Sequence, residues 1–248
     1  MFSTEQEIFE QAKYNLFLSG LDDTAERLCA LNMTFGLAKI CHFQRSLGIS
    51  PDASFIGAPD ATVTRNNNRW LQGIGYGGKL QWSGPFSVLD IKPNGCGVVM
   101  GKLNQIPSKK AVLERWNNAK SETLKIEDTT VQWDLDKGNH FLEIYRPNPD
   151  GWRPPWNDPV FILHASGREH RAENTHGPGL YWDKSNALTE SCHLHETPWG
   201  TLHVLTGKDA ERYEQHCRWV HAFQIKRREA MAENLLGVVE VFLNVAHQ

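Results

Sequence analysis

"WDLDKGNHFLEIYRP", residues 133 to 147, decides how the chain is read. A polar pair, Asn139 and His140, runs directly into Phe141, Leu142, Ile144 and Tyr145, whose pattern reads as a buried strand. Polar groups drawn into an apolar setting need partners. Another protein group, a metal ion or a ligand must therefore satisfy Asn139 and His140.

Working outward, a strand over 140–146 is joined by others expected at 128–133, 159–165 and 201–205. "FSVLDIK" (86–92) and "GCGVVMGKL" (95–103) read as buried strands on either side of a tight Pro93-Asn94-Gly95 turn. "RPNPDGWRPPWNDP" (146–159) and residues 166–198 read as loops. Ser3 with Gln6 resembles a capping box for a helix over about 4–18, and Asp22 or Asp23 caps a second helix that ends near residue 46. A surface helix is expected over 107–122, and the longest helix opens at Thr206 or Asp209 and runs to about 235. Gly237 interrupts it, and "VVEVFLNVAHQ" reads as a strand leading to His247. Helices come in runs rather than alternating with strands, so the class is α+β. Residues 1–248 read as one domain, with N-terminal helices over about 1–48 and a core over about 50–248.

The totals agree with this picture. A chain of 248 residues, 40% hydrophobic and 22% charged, is long enough for a sizeable core without disulfides. Five cysteines (29, 41, 96, 192, 217) show no paired spacing, which points to a reducing compartment, the cytoplasm. The N-terminus reads as neither a secretory nor a transit segment, and no apolar run approaches a membrane span, so no membrane partner is expected. A formal net charge of −3 leaves any nucleic-acid contact to a local basic patch. The basic run "KRRE" (226–229) reads as a solvated helix face, with phosphate contact as the lesser option. "GIGYGG" (73–78) reads as a turn between strands, because it lacks the lysine and following helix of a phosphate loop.

Eleven histidines are more than a bland domain requires. His140 begins one apolar run, His164 closes "PVFILH" and His247 closes "EVFLNVAH", while Cys96 sits between glycines at a strand edge. Three imidazoles and a thiolate suit a divalent transition metal such as Mn, Zn, Fe or Co. The competing reading is that each histidine is a hydrogen-bonded core residue and Cys96 a small hydrophobe. A local alternative is the His193/His195 pair in "CHLHETP", which with His176 would serve a metal-dependent hydrolase. Ser166, near His164, lacks a visible base and oxyanion site for a nucleophile.

Taken in order, Pro59-Asp60 in "GAPDATV", "DIKPNGCG", "GNHFLE", "HASGR" and "NVAHQ" resemble the signature segments of RtcB-type RNA ligases. The likeness covers about residues 50–248, and the helix "GKDAERYEQHCRWVHAFQIKRREAM" is similar to the family helix between the last two motifs. The resemblance implies an RtcB-like mixed α/β fold, incomplete at the C-terminus. It also implies a GTP- and manganese-dependent joining of an RNA 3′-phosphate or 2′,3′-cyclic phosphate to a 5′-hydroxyl, as in tRNA splicing and RNA repair. In such a ligase, GTP guanylylates a histidine, the guanylate moves to the RNA 3′-phosphate, and the 5′-hydroxyl displaces GMP.

By the same resemblance, Cys96, His140, His164, His247 and Asp90 are metal ligands, with Cys96 bridging two Mn2+ ions. Asn139, His140, Phe141, Leu142, Glu143, His247 and Gln248 line the guanylate site, with Asn139 buried against nucleotide or phosphate oxygens. Asp90 stands six residues before Cys96, where the family aspartate stands three before its cysteine. The Pro-Asp motif has lost its histidine, and the last motif ends in Gln248. The guanylate-accepting histidine of the family has no counterpart, so the chain reads as a fragment or a divergent short form. A non-catalytic metal-, nucleotide- or RNA-binding module on the same scaffold is the alternative.

Overall fold

The computed structural model describes residues 4–64, 67–148 and 157–246, apart from the side chain of Asn68. Ser3, His247, Gln248 and residues 149–156 of the proline-rich loop lie outside the described residues. Along the chain run α1 (Thr4–Tyr14), β1 (Leu16–Phe17), α2 (Thr24–Ser46), β2 (Ser54–Thr62), α3 (Asn67–Gln72), β3 (Tyr76–Gln81) and β4 (Phe86–Val88). There follow β5 (Gly97–Lys102), α4 (Lys109–Ser121), β6 (Lys125–Ile126), β7 (Thr129–Thr130), β8 (Phe141–Tyr145) and β9 (Val160–Ala165). Last come α5 (Asn186–Ser191), β10 (His193–His195), β11 (Leu202–Thr206), α6 (Gly207–Leu236) and β12 (Glu240–Ala246). The helices do not come in the expected runs, since at least one strand separates each from the next, but the strands pair largely antiparallel and the fold is α+β.

The chain divides into two compact units, Met1–Lys92 with Thr189–Tyr213, and Pro93–Leu188 with Glu214–Gln248. No break in composition announces that division. In the first unit, α2 starts where Asp23 accepts from the Glu26 amide, while the Glu26 carboxylate accepts from the amides of Gly20 and Asp22. This reciprocal capping satisfies donors the first turn would otherwise leave open. The helix then buries Cys29, Met33, Leu37, Ile40 and Cys41 at helical spacing against Phe55, Phe86 and Leu202.

In the second unit, a four-stranded sheet has the order β12-β5-β9-β8, every pair antiparallel. Along β9 the residues Phe161, Leu163 and Ala165 are buried in a core shared with Val99, Met231 and Leu235. Burying a side chain such as Phe161 or Leu163 contributes about 1.5–3 kcal/mol. Strand alternation puts Ile162 and His164 on the other face. The expected hairpin around Pro93-Asn94-Gly95 does not form. β4 pairs with β11, whereas β5 joins the four-stranded sheet. A short 3-10 turn over Leu89–Ile91 and a left-handed Lys92 (φ 46°) redirect the chain after β4.

Candidate metal centre

Three sequence segments meet at one end of the four-stranded sheet. Gly97 opposes Ala165, Val98 opposes His164, and Phe141 opposes His164 from the other side. Cys96, just before β5, and His140, just before β8, thus reach the same end as His164. Their ligand atoms lie within 4.8 Å of one another, and among the described residues this is the one such group of three or more His, Cys, Asp or Glu donors. The His140 Nε2 atom stands 3.7 Å from the Cys96 Sγ, and the two imidazole rings are 5.2 Å apart, edge to face. The cluster can hold a metal ion.

Each imidazole is oriented from behind. The His140 Nδ1 faces the Asp134 Oδ2 at 2.9 Å, and the His164 Nδ1 lies 3.0 Å from the Asn139 carbonyl. A carbonyl and a carboxylate only accept, so both Nδ1 atoms carry a proton, and an ion would be taken on the Nε2 side, where His140 first gives up its second proton. Metal-binding histidines are characteristically held in this way. Asp134 is itself fully buried: it accepts from the amide and hydroxyl of Ser166 and pairs with Arg227 at 3.1 Å. Arg227, also fully buried, donates through Nε to Glu169 at 2.7 Å and through Nη2 to the Gln132 carbonyl at 2.6 Å.

The electrostatics follow from these contacts. Burial pushes the Cys96 thiol up, but His140 and His164 outweigh it and bring the group down to about 7. Burial pushes His140 down, and Asp134 with Cys96 outweighs that, raising it to about 9. Burial raises Asp134, while His140, Arg227 and Ser166 hold it well below the usual carboxylate range. Without an ion, the centre therefore balances a thiolate against an imidazolium at neutral pH, and binding a metal releases the imidazole proton.

Several expectations need correction. Asn139 is exposed on the turn before β8, not buried, and its backbone carbonyl is what serves the centre. Phe141 and Leu142 are half-buried, and Glu143 is exposed on the edge strand, where it accepts from the Tyr145 hydroxyl. Asp90 belongs to the other unit and is not one of the grouped donors. It is buried, its Oδ1 2.9 Å from the His203 Nδ1 and its Oδ2 accepting from the His203 amide at 3.0 Å. The 3-10 turn after β4 fixes it beside β11. The implied ligand His247 and its neighbour Gln248 lie outside the described residues, one step past Ala246, which pairs with Gly97.

His193 and His195, on β10, fall in one unit and His176 in the other. The His195 Nε2 is 2.9 Å from the His42 Nδ1, and the His176 Nε2 is 3.0 Å from the Thr129 hydroxyl. "KRRE" is not a solvated face: Lys226 is exposed, but Arg227 and Arg228 are fully buried. The signal was there in the spacing, because Val220, Phe223, Gln224, Arg227, Arg228, Met231 and Leu235 form one continuous buried stripe. Asp134, two residues into the "WDLD" that opens the deciding stretch, could have been found only by asking what holds the His140 ring.

No helix of the described residues is long and apolar enough to cross a membrane. Compared with protein-family models, curated proteins and solved structures, the chain matches none.

Proposed function

We propose that Cys96, His140 and His164 are the protein ligands of a divalent metal centre in an RtcB-type RNA ligase, with manganese as the ion and GTP as the cofactor. The observation that carries this reading is the convergence of a thiolate and two imidazoles, both imidazoles anchored through Nδ1. The three come from "NGCG", "GNHFLE" and "HASGR", the segments on which the ligase resemblance rests. By the same resemblance, His247 would complete the set. A bound divalent ion supplies charge neutralisation for a transferring phosphoryl group. This chain's residues do the rest: Asp134 holds His140, Arg227 and Ser166 hold Asp134, and the exposed Asn139 and Glu143 flank the guanylate position. The partners are RNA with 3′-phosphate or 2′,3′-cyclic phosphate and 5′-hydroxyl ends. The five free cysteines fit the reducing cytoplasm.

The test is metal content after manganese loading, in the parent chain and in Cys96→Ala and His140→Ala. Near-stoichiometric metal lost in both variants, followed by GTP binding that depends on the ion, supports the reading. Metal retained in both variants overturns the ligand set.

One observation favours a second reading. Cys96, His140 and Asp134 stand in the order of a thiol nucleophile, its base and an orienting carboxylate. Rapid stoichiometric alkylation of Cys96 by iodoacetamide that manganese and zinc leave unaltered would favour a thiol enzyme, and protection by the metal would favour the metal centre.

A further inference from the structure

Next to the centre, α6 carries two polar side chains that the metal ligands do not use. Gln224 and Arg228 are four residues apart, hence on one helix face, and both are fully buried. Among the described residues, the Gln224 Oε1 and Nε2 and the Arg228 Nη1 and Nη2 have no hydrogen-bond partner. The guanidinium is nevertheless held in place, since its Nε donates to the Asn244 Oδ1 at 2.8 Å. Asn244 is fixed in turn by donating to the Ile225 carbonyl and the Glu229 carboxylate. Burial, with Arg227 nearby, lowers Arg228 to about 10, while Cys96 acts the other way. It stays charged at neutral pH.

The backbone around Cys96 is shaped to these two side chains. A Cβ on Gly97 would stand 2.4 Å from the Arg228 Nη1, and a Cβ on Gly167 would stand 2.4 Å from the Gln224 Nε2. Gly95, with φ of +64°, has the Gln224 side chain 3.4 Å from where its Cβ would be. Glycine at 95, 97 and 167 thus lets an amide and a guanidinium approach the loops that carry Cys96 and follow His164. Leaving a buried guanidinium fork half-satisfied is costly. A cation held by Cys96 beside it would add repulsion unless an anion lies between them.

We propose that Arg228 and Gln224 form an oxyanion site for a phosphate group beside the metal centre, so that phosphate and the divalent ion bind cooperatively. The proposal rests on the metal reading above for the cooperativity, though not for the anion site itself. A phosphate offers enough acceptor oxygens to take the two guanidinium nitrogens, the Gln224 amide and an ion at once. A neutral ligand would leave the positive charges facing each other.

The experiment is calorimetric titration of inorganic phosphate into the full chain, both EDTA-treated and manganese-loaded. It uses the parent, Arg228→Gln, Arg228→Lys and Gln224→Met, with folding checked by circular dichroism and manganese stoichiometry measured in each. Phosphate should bind at least about tenfold more tightly to the loaded parent than to loaded Arg228→Gln. Arg228→Lys should fall between them, and Gln224→Met should lose a few-fold. Equal phosphate binding in the folded parent and folded Arg228→Gln overturns the anion site. If the parent takes up no manganese, the metal reading fails, while phosphate binding that Arg228→Gln loses in EDTA still supports the anion site. Competition by a 3′-phosphorylated oligoribonucleotide, against its 3′-hydroxyl control, would assign the phosphate to an RNA end. Competition by GTP alone would assign it to the nucleotide.

Discussion

Two groups of histidines in the same unit show how little the residue type decides by itself. Around Cys96, His140 and His164 have oxygen acceptors behind them and a thiol in front, and His140 is raised to about 9. Around Trp219, the His170 ring meets Trp219 at 4.9 Å and Phe223 at 4.6 Å edge-on, while His176 stacks on Trp219 at 4.8 Å and His216 at 5.9 Å. Here burial, reinforced by His216 and His176, drives His170 down to about 4, and burial likewise lowers His216. The first group has anions that stabilise a positive ring and, once the proton leaves, an ion. The second has aromatic walls and neighbouring imidazoles, which disfavour the charged form of His170 and His216 and leave those rings to packing. The difference lies in Asp134 and Cys96, not in the histidines.

The sharpest way to break the comparison is to remove a ligand. Cys96→Ala or His140→Ala should abolish metal binding, an effect beyond the roughly 10–100-fold that loss of an outer partner produces. His170→Phe should leave it intact. Cobalt loading provides the measurement, because thiolate-to-metal absorption in the near ultraviolet should vanish in Cys96→Ala and persist in His170→Phe.

Removing the anion behind the ring comes next. Asp134→Ala should destabilise the chain by about 1–3 kcal/mol, because it removes the acceptor of the buried Ser166 hydroxyl and one of the two carboxylates paired with the buried Arg227, which keeps Glu169. Asp134→Asn, which keeps the shape, should weaken manganese binding by roughly 10–100-fold. Urea unfolding and metal titration together read out both effects, and an unchanged metal affinity in Asp134→Asn would show that His140 needs no support.

The aromatic group should answer to acid instead. Because the folded pKa of His170 is depressed, its contribution to stability is present above the unfolded value near 6.5 and is lost as pH falls toward about 4. That shift corresponds to up to about 3 kcal/mol, and His170→Phe should flatten the slope of stability against pH in that window. An unaltered slope would assign the acid sensitivity to other groups.

The smallest effect lies between pH 7 and 9 in the metal-free chain. The contribution of His140, raised to about 9, is lost as pH rises through that value, whereas that of Cys96, lowered to about 7, is lost as pH falls through 7. The two oppose each other, so stability should change by less than about 1 kcal/mol across the window. Manganese affinity should nonetheless rise over the same range, since the ion displaces the His140 proton. Denaturation and metal titration at matched pH values separate the two.

The sequence was most legible where local patterns repeat. Helical spacing and the Asp23 cap place α2 within a residue or two, and the apolar runs place β5, β8, β9 and β12. The donors Cys96, His140 and His164 were nameable because each flanks a glycine or begins or closes an apolar run at a strand end. Less legible was anything that depends on a partner far along the chain. "KRRE" reads as surface from its charges, although its Arg227 and Arg228 lie on the buried stripe. Asp90 reads as a ligand through the family resemblance, yet His203, 113 positions later, holds it in the other unit.

By itself, then, the sequence determined the long helices, the strands of the four-stranded sheet and the donor types, because those follow from neighbours two to four residues apart and from side-chain chemistry. Tertiary structure alone decided which donors meet, which carboxylate stands behind which imidazole, and which arginines lose their water. Charge state depends on burial and on groups that only the folded sheet and the long C-terminal helix bring together. A histidine in this chain is written at its position, but whether it binds a proton, an ion or an aromatic face is settled by what the fold sets against it.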